Sequence, residues 1–186
     1  RAYISEVTEG VFAATNNGKI YSCYSSGEIK SVSPSGGNFG GFIGNNSNSG
    51  DIRNCYTNAN VNSSSCSTLG GFASINGGVI QNSYSDNTVT ATGNVSYAGG
   101  FVGNIKDSGL VQKCFTNSSV NSKGGTAGFF RGTSASESSI YNCFYSSESQ
   151  LIVNSKEIDR PNEGNAERAW ILGILDETYI QEKLYF

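Results

Sequence analysis

The chain has 186 residues, which is the length of one domain with at most an appendage, and 74 of them are Gly (24), Ser (29) or Asn (21). This composition is typical of flexible linkers, but ten Tyr, ten Phe and one Trp need a core to bury them, which excludes a disordered tract. The formal net charge is −3 and the sequence contains no basic patch, so nucleic-acid binding is not expected. No apolar run approaches the ~20 residues that span a bilayer, so membrane insertion is not expected either.

The N-terminus begins Arg1-Ala2-Tyr3-Ile4, with neither a methionine nor a secretory signal segment. We therefore expect the sequence to be an internal piece of a longer protein. Residues 3–7 alternate between apolar and polar side chains and are predicted to form a strand of a coil that precedes the first full repeat. That end of the array would expose an unpaired sheet edge, which is open to end-to-end self-association.

A period of about 30 residues begins with a phenylalanine that follows small residues. Its five copies are spaced 30, 30, 29 and 28 residues apart, and they are Phe12, Phe42, Phe72, Phe101 and Phe129. Three of them end a Gly-Gly-Phe triplet, which begins at Gly40, Gly70 or Gly99. Glycine before the aromatic residue suits a tight corner or a close approach of two backbones.

Each unit continues with an aliphatic residue, a polar corner and a second aromatic residue. The aliphatic positions are Ile20, Ile52, Ile80, Val111 and Ile140, and the aromatic positions are Tyr24, Tyr56, Tyr84, Phe115 and Phe144. Five residues later come Ile29, Val61, Val89 and Val120, whereas the fifth unit has a polar run at 146–149 and is expected to lack its last strand. Asn54, Asn82 and Asn142 recur at the corner, either as a stacked amide ladder or simply as turn residues.

Short apolar runs separated by Gly, Ser and Asn turns predict strands, three in each unit, because no helical stripe extends across a unit. One unit cannot bury its apolar side alone, so the units must stack. A propeller blade usually takes about 40 residues and four strands, so an all-β parallel β-solenoid of about five coils is favoured over a propeller. At ~4.8 Å per coil the rod would be ~24 Å long, with the aromatic and aliphatic columns inside.

The composition changes after residue 150, and the segment 151–186 carries the whole net charge. We interpret residues 1–150 as the repeat array and residues 151–186 as a C-terminal cap. A short helix is predicted from Ala166 to Leu175, with Asn165 as its N-cap and its apolar side closing over the last coil. Residues 179–186 have the pattern of a strand.

The unit reads Gly-Gly-Phe-Val/Ile-Gly, then Gly-x-Ile-x-Asn-Cys-Tyr, then x-Val, most clearly in residues 40–61 and 99–120. This pattern resembles the GLUG repeat of secreted and surface-attached bacterial proteins, which include large adhesins and immunoglobulin A peptidases of the zinc metallopeptidase type. The resemblance covers roughly residues 10–150 and implies an extracellular accessory region. It does not imply a catalytic one, because the His-Glu-x-x-His helix of those peptidases needs histidine, and this chain has none.

Four of the five cysteines occupy one repeat position, as Cys23, Cys55, Cys114 and Cys143, where the third unit has Ser83, and Cys66 lies outside that position. Equivalent residues of neighbouring coils would have Cα atoms ~5 Å apart, so Cys23–Cys55 and Cys114–Cys143 are possible disulfides. Buried free thiols are favoured, because in-register neighbours point the same way and strain the dihedral angle of the bond. No Cys-x-x-Cys pair is present, which argues against a zinc site.

No catalytic, cofactor-binding or metal-binding residue is predicted. Solenoid lyases and hydrolases cluster carboxylates on one face, whereas here Asp51 aligns with Lys19 and Val79, and Glu28 aligns with Asn60 and Thr88. Some solenoids bind ice through a flat array of threonines, and residues 88–92 have this alternation of threonine with an apolar residue. The equivalent residues of the other units do not, so ice binding is not favoured. Four Asn-x-Ser/Thr sequons, at Asn45, Asn62, Asn94 and Asn117, leave glycosylation open.

These observations predict a non-catalytic extracellular repeat module of a bacterial surface or secreted protein, acting as an adhesin stalk or scaffold that meets a host surface protein or a glycan. The alternative is a substrate-binding exosite region of a secreted immunoglobulin-type metallopeptidase. A further alternative is a filament-forming subunit that stacks end to end. No cofactor is expected for any of the three.

Overall fold

The computed structural model describes residues 7–31, 36–64, 66–134, 139–159 and 166–169, with the backbone alone for residues 66, 67, 134 and 169. The chain is an all-β parallel solenoid, which confirms the fold predicted from the repeat. Within these ranges, no helix is long and apolar enough to cross a membrane.

Each layer of the solenoid consists of five short strands in the same order. The first layer holds β1 (Val7–Gly10), β2 (Ala13–Asn16), β3 (Lys19–Tyr21), β4 (Tyr24–Ser25) and β5 (Glu28–Ser31). The second holds β6 (Gly37–Gly40), β7 (Ile43–Asn46), β8 (Asp51–Arg53), β9 (Tyr56–Thr57) and β10 (Asn60–Ser63). The third holds β11 (Cys66–Gly70), β12 (Ala73–Asn76), β13 (Val79–Gln81), β14 (Tyr84–Ser85) and β15 (Thr88–Ala91).

The last two layers repeat this order. The fourth holds β16 (Val95–Gly99), β17 (Val102–Ile105), β18 (Leu110–Gln112), β19 (Phe115–Thr116) and β20 (Ser119–Ser122). The fifth holds β21 (Thr126–Gly128), β22 (Arg131–Ser134), β23 (Ile140–Tyr141), β24 (Cys143–Ser146) and β25 (Leu151–Val153). Two further strands follow, β26 (Lys156–Glu157) and β27 (Ala166–Ala169).

Equivalent strands of successive layers pair in register and form five sheets along the rod. Sheet 1 is β1-β6-β11-β16-β21, sheet 2 is β2-β7-β12-β17-β22, and sheet 3 is β3-β8-β13-β18-β23. Sheet 4 is β4-β9-β14-β19-β24-β27, and sheet 5 is β5-β10-β15-β20-β25-β26. The prediction of three strands per unit is wrong, because the Phe of each repeat lies at a corner between sheets 1 and 2, and a second corner separates sheet 3 from sheet 4.

The fifth layer has a last strand, although the sequence pattern predicted that it is missing. Leu151 of β25 pairs with Val120 and is fully buried, so it extends the column of Ile29, Val61 and Val89. The predicted break was wrong because the loop before β25 is longer than in the other layers, which moves the aliphatic residue two positions beyond the expected offset. The inward aliphatic column of Ile20 to Ile140 is confirmed by the pairing of sheet 3.

The phenylalanine column runs through the core as a continuous ring stack. Phe12, Phe42, Phe72 and Phe101 stack at centroid distances of 4.7, 4.8 and 4.9 Å. The fifth member is Phe130 at 5.0 Å, and not Phe129 as predicted. The correction follows from the register, because Gly99 pairs with Gly128, which leaves Phe129 at the second glycine position. Phe129 stacks instead on Tyr145, with ring centroids 5.0 Å apart.

The C-terminal segment adds strands to the end of the solenoid. β26 pairs antiparallel with β25, and β27 pairs parallel with β24. The helix predicted from Ala166 is therefore wrong for residues 166–169. These residues form a strand because the edge of β24 offers unpaired backbone groups. The remainder of that helix, residues 170–175, the strand predicted at 179–186 and the N-terminal residues 3–6 lie outside the described residues, while Val7 begins β1.

Candidate functional site

The aromatic residue that recurs in sheet 4 lies on the outside of the sheet, whereas the sequence pattern placed it inside. In each of the first four strands of this sheet the more deeply buried residue is a hydroxyl residue, namely Ser25, Thr57, Ser85 or Thr116. The Ser25 hydroxyl donates to the Thr57 hydroxyl at 2.9 Å, and the Ser85 hydroxyl donates to that of Thr116 at 2.8 Å. Because successive side chains of a strand point to opposite faces, these inward hydroxyl pairs leave the aromatic rings on the outside.

The outward rings form a stacked column along the rod. The centroid distances are 6.1 Å from Tyr24 to Tyr56, 4.6 Å from Tyr56 to Tyr84 and 5.9 Å from Tyr84 to Phe115, with interplanar angles of 12–14°. Phe144 continues the column through its backbone pairing with Phe115. Tyr24 is 64% exposed, Tyr56 and Tyr84 are partly exposed, and both phenylalanines are buried. Since stacked rings cover one another's faces, the middle of the column presents ring edges and hydroxyls to solvent.

The neighbouring sheet 3 adds a second outward row that contains an ion pair. The Tyr21 hydroxyl donates to Asp51 Oδ2 at 2.7 Å, and Arg53 Nε donates to Asp51 Oδ1 at 2.8 Å. The guanidinium carbon of Arg53 lies 5.9 Å from the centroid of the Tyr21 ring. We call the exposed and partly exposed aromatic and polar residues on the outside of sheets 3 and 4, within the five layers, the tyrosine face; its members are Lys19, Tyr21, Tyr24, Asp51, Arg53, Tyr56, Gln81, Tyr84, Gln112 and Tyr141.

The charges on the tyrosine face follow from these contacts. The hydrogen bond from Arg53 is the main cause that lowers the pKa of Asp51, and the hydrogen bond to Asp51 is the main cause that raises the pKa of Tyr21. Burial, followed by the charge of Asp86, raises the pKa of Tyr84. At neutral pH the Asp51 carboxylate is therefore paired with Arg53 and also faces the exposed Lys19 of the preceding layer. The hydroxyls of Tyr21 and Tyr84 stay protonated and can donate hydrogen bonds.

The corner between sheets 3 and 4 explains the recurring asparagines. Five residues there adopt φ values between 49° and 54°, and they are Ser22, Asn54, Asn82, Lys113 and Asn142. This left-handed conformation favours Asn among non-glycine residues, which supports the interpretation as turn residues. Asn82 Oδ1 is buried without a hydrogen-bond partner, so the alternative of an amide ladder at this corner is wrong.

An amide ladder exists at a different corner, between sheets 2 and 3. Asn16 Nδ2 donates to Asn46 Oδ1 at 2.9 Å, and Asn46 Nδ2 donates to Asn76 Oδ1 at 2.8 Å. All three side chains are buried. The sequence carries a signal for this ladder, because the three asparagines recur at intervals of 30 residues. In the fourth layer Ile105 takes the position and ends the ladder.

The repeated cysteines are free thiols that line the inside of the second corner, which agrees with the interpretation favoured from the sequence. The thiols of Cys55, Cys114 and Cys143 each donate to the carbonyl two residues earlier, at 3.2, 3.2 and 3.3 Å. Ser83 makes the same bond with its hydroxyl at 2.9 Å, which explains why serine replaces cysteine in the third unit. Burial raises the pKa of Cys55 to about 11 and is also the main cause that raises the pKa of Cys114.

These thiols should react slowly with alkylating reagents in the native chain, because only the thiolate is nucleophilic and burial disfavours it. At pH 8 we expect iodoacetamide to modify the partly exposed Cys23 much faster than Cys114, which is fully buried. Peptide mapping by mass spectrometry measures both rates in one sample, and labelling in denaturant provides the control for intrinsic reactivity. Equal native rates at the two positions would contradict the burial of the thiol column.

The structure also locates the other residues named from the sequence. Asp51 lies beside Lys19 and Val79 in sheet 3, as the alignment predicts. Of the four sequon asparagines, Asn94 is exposed, and Asn45, Asn62 and Asn117 are partly buried. Among the described residues, no group of three or more His, Cys, Asp or Glu side chains is arranged to hold a metal ion.

Comparison with solved structures finds the crystal structure of a candidate immunoglobulin A1 protease from Bacteroides ovatus. The two chains share 26% sequence identity with a TM-score of 0.65, and the match covers 88% of this chain and 52% of the other. This chain therefore spans about half the length of that structure. No family model matches the chain, and a search of the curated proteins finds no match. The neighbour agrees with the immunoglobulin A peptidase link of the sequence resemblance, while the likeness to the GLUG repeat rests on the sequence alone.

Proposed function

We propose that this chain is a non-catalytic repeat module of a bacterial surface or secreted protein, and that it works outside the cell as a rigid scaffold whose tyrosine face binds a protein. The observation that carries the proposal is the outward aromatic column of sheet 4 beside the exposed Tyr21 and Arg53. The layers beneath it are held in register by backbone pairing in all five sheets, so the face is fixed before a partner arrives.

The composition of the face favours a protein partner over a glycan. Tyrosine and arginine are the residues that most often dominate the binding energy of protein interfaces. Sugar rings pack on open aromatic faces, but here the faces of Tyr56 and Tyr84 are covered by their neighbours in the stack. The face extends over four layer spacings, which is roughly 19 Å, and this length suits a protein surface or an extended segment.

A second candidate function is a substrate-binding exosite region of an immunoglobulin A1 peptidase. The structural neighbour from Bacteroides ovatus favours it. This chain contains no histidine, so the catalytic chemistry of a zinc peptidase would come from another part of a longer protein. In this function the tyrosine face would hold the immunoglobulin while a separate domain cuts it.

One binding experiment tests both functions. The chain is immobilised and exposed to immunoglobulin A1, immunoglobulin G, a panel of host surface proteins and a glycan array. We expect a protein ligand to bind, and we expect the double variant Tyr56→Ser, Tyr84→Ser to lose affinity by at least about tenfold, because truncated tyrosine hot spots typically cost that much. The matched control is Asn62→Ala, Thr90→Ala, which changes outward residues of the same two layers on sheet 5.

The outcomes separate the candidates. Selective binding of immunoglobulin A1 over immunoglobulin G supports the exosite function, and binding of another host surface protein supports the adhesive scaffold. Binding of glycans alone, or equal losses in the two double variants, would contradict a protein-binding tyrosine face. Cleavage of immunoglobulin A1 by the purified chain would contradict a non-catalytic role.

A further inference from the structure

The C-terminal end of the solenoid carries a cleft of about 510 Å³ that shares no lining residue with the tyrosine face. Phe129 lines it together with three C-terminal segments: the long loop at residues 147–150, the strand β26 with the two residues after it, and β27. These are the segments where the repeat pattern is interrupted. A cleft of this volume falls within the range that holds small molecules or single side chains of a partner.

The charged groups that line the cleft are predominantly acidic. Glu148, Glu157 and Asp159 line it together with one cation, Arg168. Arg168 Nη1 lies 3.4 Å from Asp159 Oδ1, and its Nη2 donates to the Ser147 carbonyl at 3.1 Å. Glu148 and Glu157 form no ion pair with a cation of the described part of the chain. A concave surface concentrates the field of such charges and attracts cations.

Two serine hydroxyls in the cleft wall lack partners. Ser149 is only 9% exposed, and its Oγ is buried without a hydrogen bond, as is Oγ of Ser147. In the core of the solenoid, by contrast, the buried hydroxyls of Ser85 and Ser118 are both hydrogen-bonded. A buried hydroxyl without a partner costs free energy, which a bound group with several N–H donors would recover.

We propose that this cleft binds an ammonium or guanidinium group. Glu148 and Glu157 would neutralise its charge, and the hydroxyls of Ser147 and Ser149 would accept its N–H hydrogen bonds. The same chemistry is offered by a Lys or Arg side chain of a peptide and by a free polyamine. The site is independent of the tyrosine face, so either proposal can fail without the other.

Isothermal titration of the intact chain tests the site with N-acetyl-argininamide, its uncharged citrulline analogue and spermidine. We expect argininamide to bind at least about tenfold more tightly than the citrulline analogue, and Glu148→Gln or Glu157→Gln to weaken it about tenfold, because hydrogen bonds to charged groups are the strong ones. Asp107→Asn, which changes an exposed carboxylate of the β17–β18 loop, is the matched control. Tighter binding of argininamide than of spermidine identifies a peptide side chain as the ligand, and the reverse identifies a polyamine.

A second variant separates binding from folding. Because the Ser149 hydroxyl has no partner in the free chain, Ser149→Ala should leave the thermal midpoint unchanged or raise it, and should weaken argininamide severalfold. The proposal is overturned if neither cation binds at concentrations up to about 10 mM, if the citrulline analogue binds equally well, or if Ser149→Ala lowers the thermal midpoint without changing the affinity.

Discussion

Phe72→Ala should lower the free energy of unfolding by about 3–5 kcal/mol, the usual cost of removing a large aromatic side chain from a core. Phe72 is fully buried at the centre of the phenylalanine column and stacks on Phe42 and Phe101 at 4.8 and 4.9 Å. Its loss leaves a cavity between two layers that are already held by backbone pairing, so the layers cannot collapse to fill it. Urea denaturation followed by circular dichroism measures the change.

The control for this experiment is the same substitution at the end of the same column. Phe12 stacks on Phe42 but is 44% exposed, so Phe12→Ala should cost about 1 kcal/mol, because little apolar area is newly lost from the core. Similar losses of stability in the two variants would show that the column does not run through the core in the order Phe12 to Phe130.

Gly71→Ala should also be strongly destabilising, by about 3 kcal/mol or more, because the added methyl group meets backbone and not a movable side chain. A Cβ at Gly71 would lie 1.9 Å from the Gly100 carbonyl oxygen of the next layer. The same contact recurs between Gly100 and the Phe129 carbonyl oxygen at 2.1 Å, so successive layers approach too closely at this glycine position to admit a side chain. Thermal unfolding compared with the wild-type chain measures the effect.

Gly18→Ala is the matched control, because a Cβ at Gly18 meets no atom within 4 Å. We expect it to be neutral or slightly stabilising, since alanine restricts the unfolded chain more than glycine does. If Gly71→Ala is tolerated as well as Gly18→Ala, the close stacking of layers at the Gly-Gly-Phe corner is wrong.

The period in the sequence was enough to predict the fold, because in-register stacking places like residues on like. The aliphatic columns of Ile52 and Val61 follow directly from that rule, as do the free thiols of the cysteine column. The column that ends at Phe130 was misassigned to Phe129 for a local reason. At Gly71 and Gly100 the backbone of the next layer occupies the space that a side chain would need. Phe129 takes this position in the fifth layer, beyond which the described residues form no further complete layer.

The candidate site could not be predicted in the same way. In a two-residue strand only one of the two side chains points into the core. In Tyr56-Thr57 and Tyr84-Ser85 that side chain could be either the aromatic residue or the hydroxyl residue. Hydrophobicity favours burying the ring, but the hydroxyls pair with one another and Thr57 also donates to the Gly41 carbonyl of the corner. The Gly41 carbonyl lies 16 residues from Thr57 in the sequence, and the paired hydroxyl residues lie 31 or 32 residues apart. The sequence pattern alone therefore did not show these hydrogen bonds.

The central claim is that a register-locked solenoid presents stacked tyrosines to solvent, and zero-length oxidative cross-linking of the native chain tests it most directly. Tyr56 and Tyr84 come from successive layers with ring centroids 4.6 Å apart, so mild one-electron oxidation at low protein concentration should join them as dityrosine. Mass spectrometry should find the Tyr56–Tyr84 peptide as the main intramolecular product, and Tyr84→Phe should abolish it. A main product joining tyrosines from non-adjacent layers, or no dityrosine at all, would contradict the stacked face.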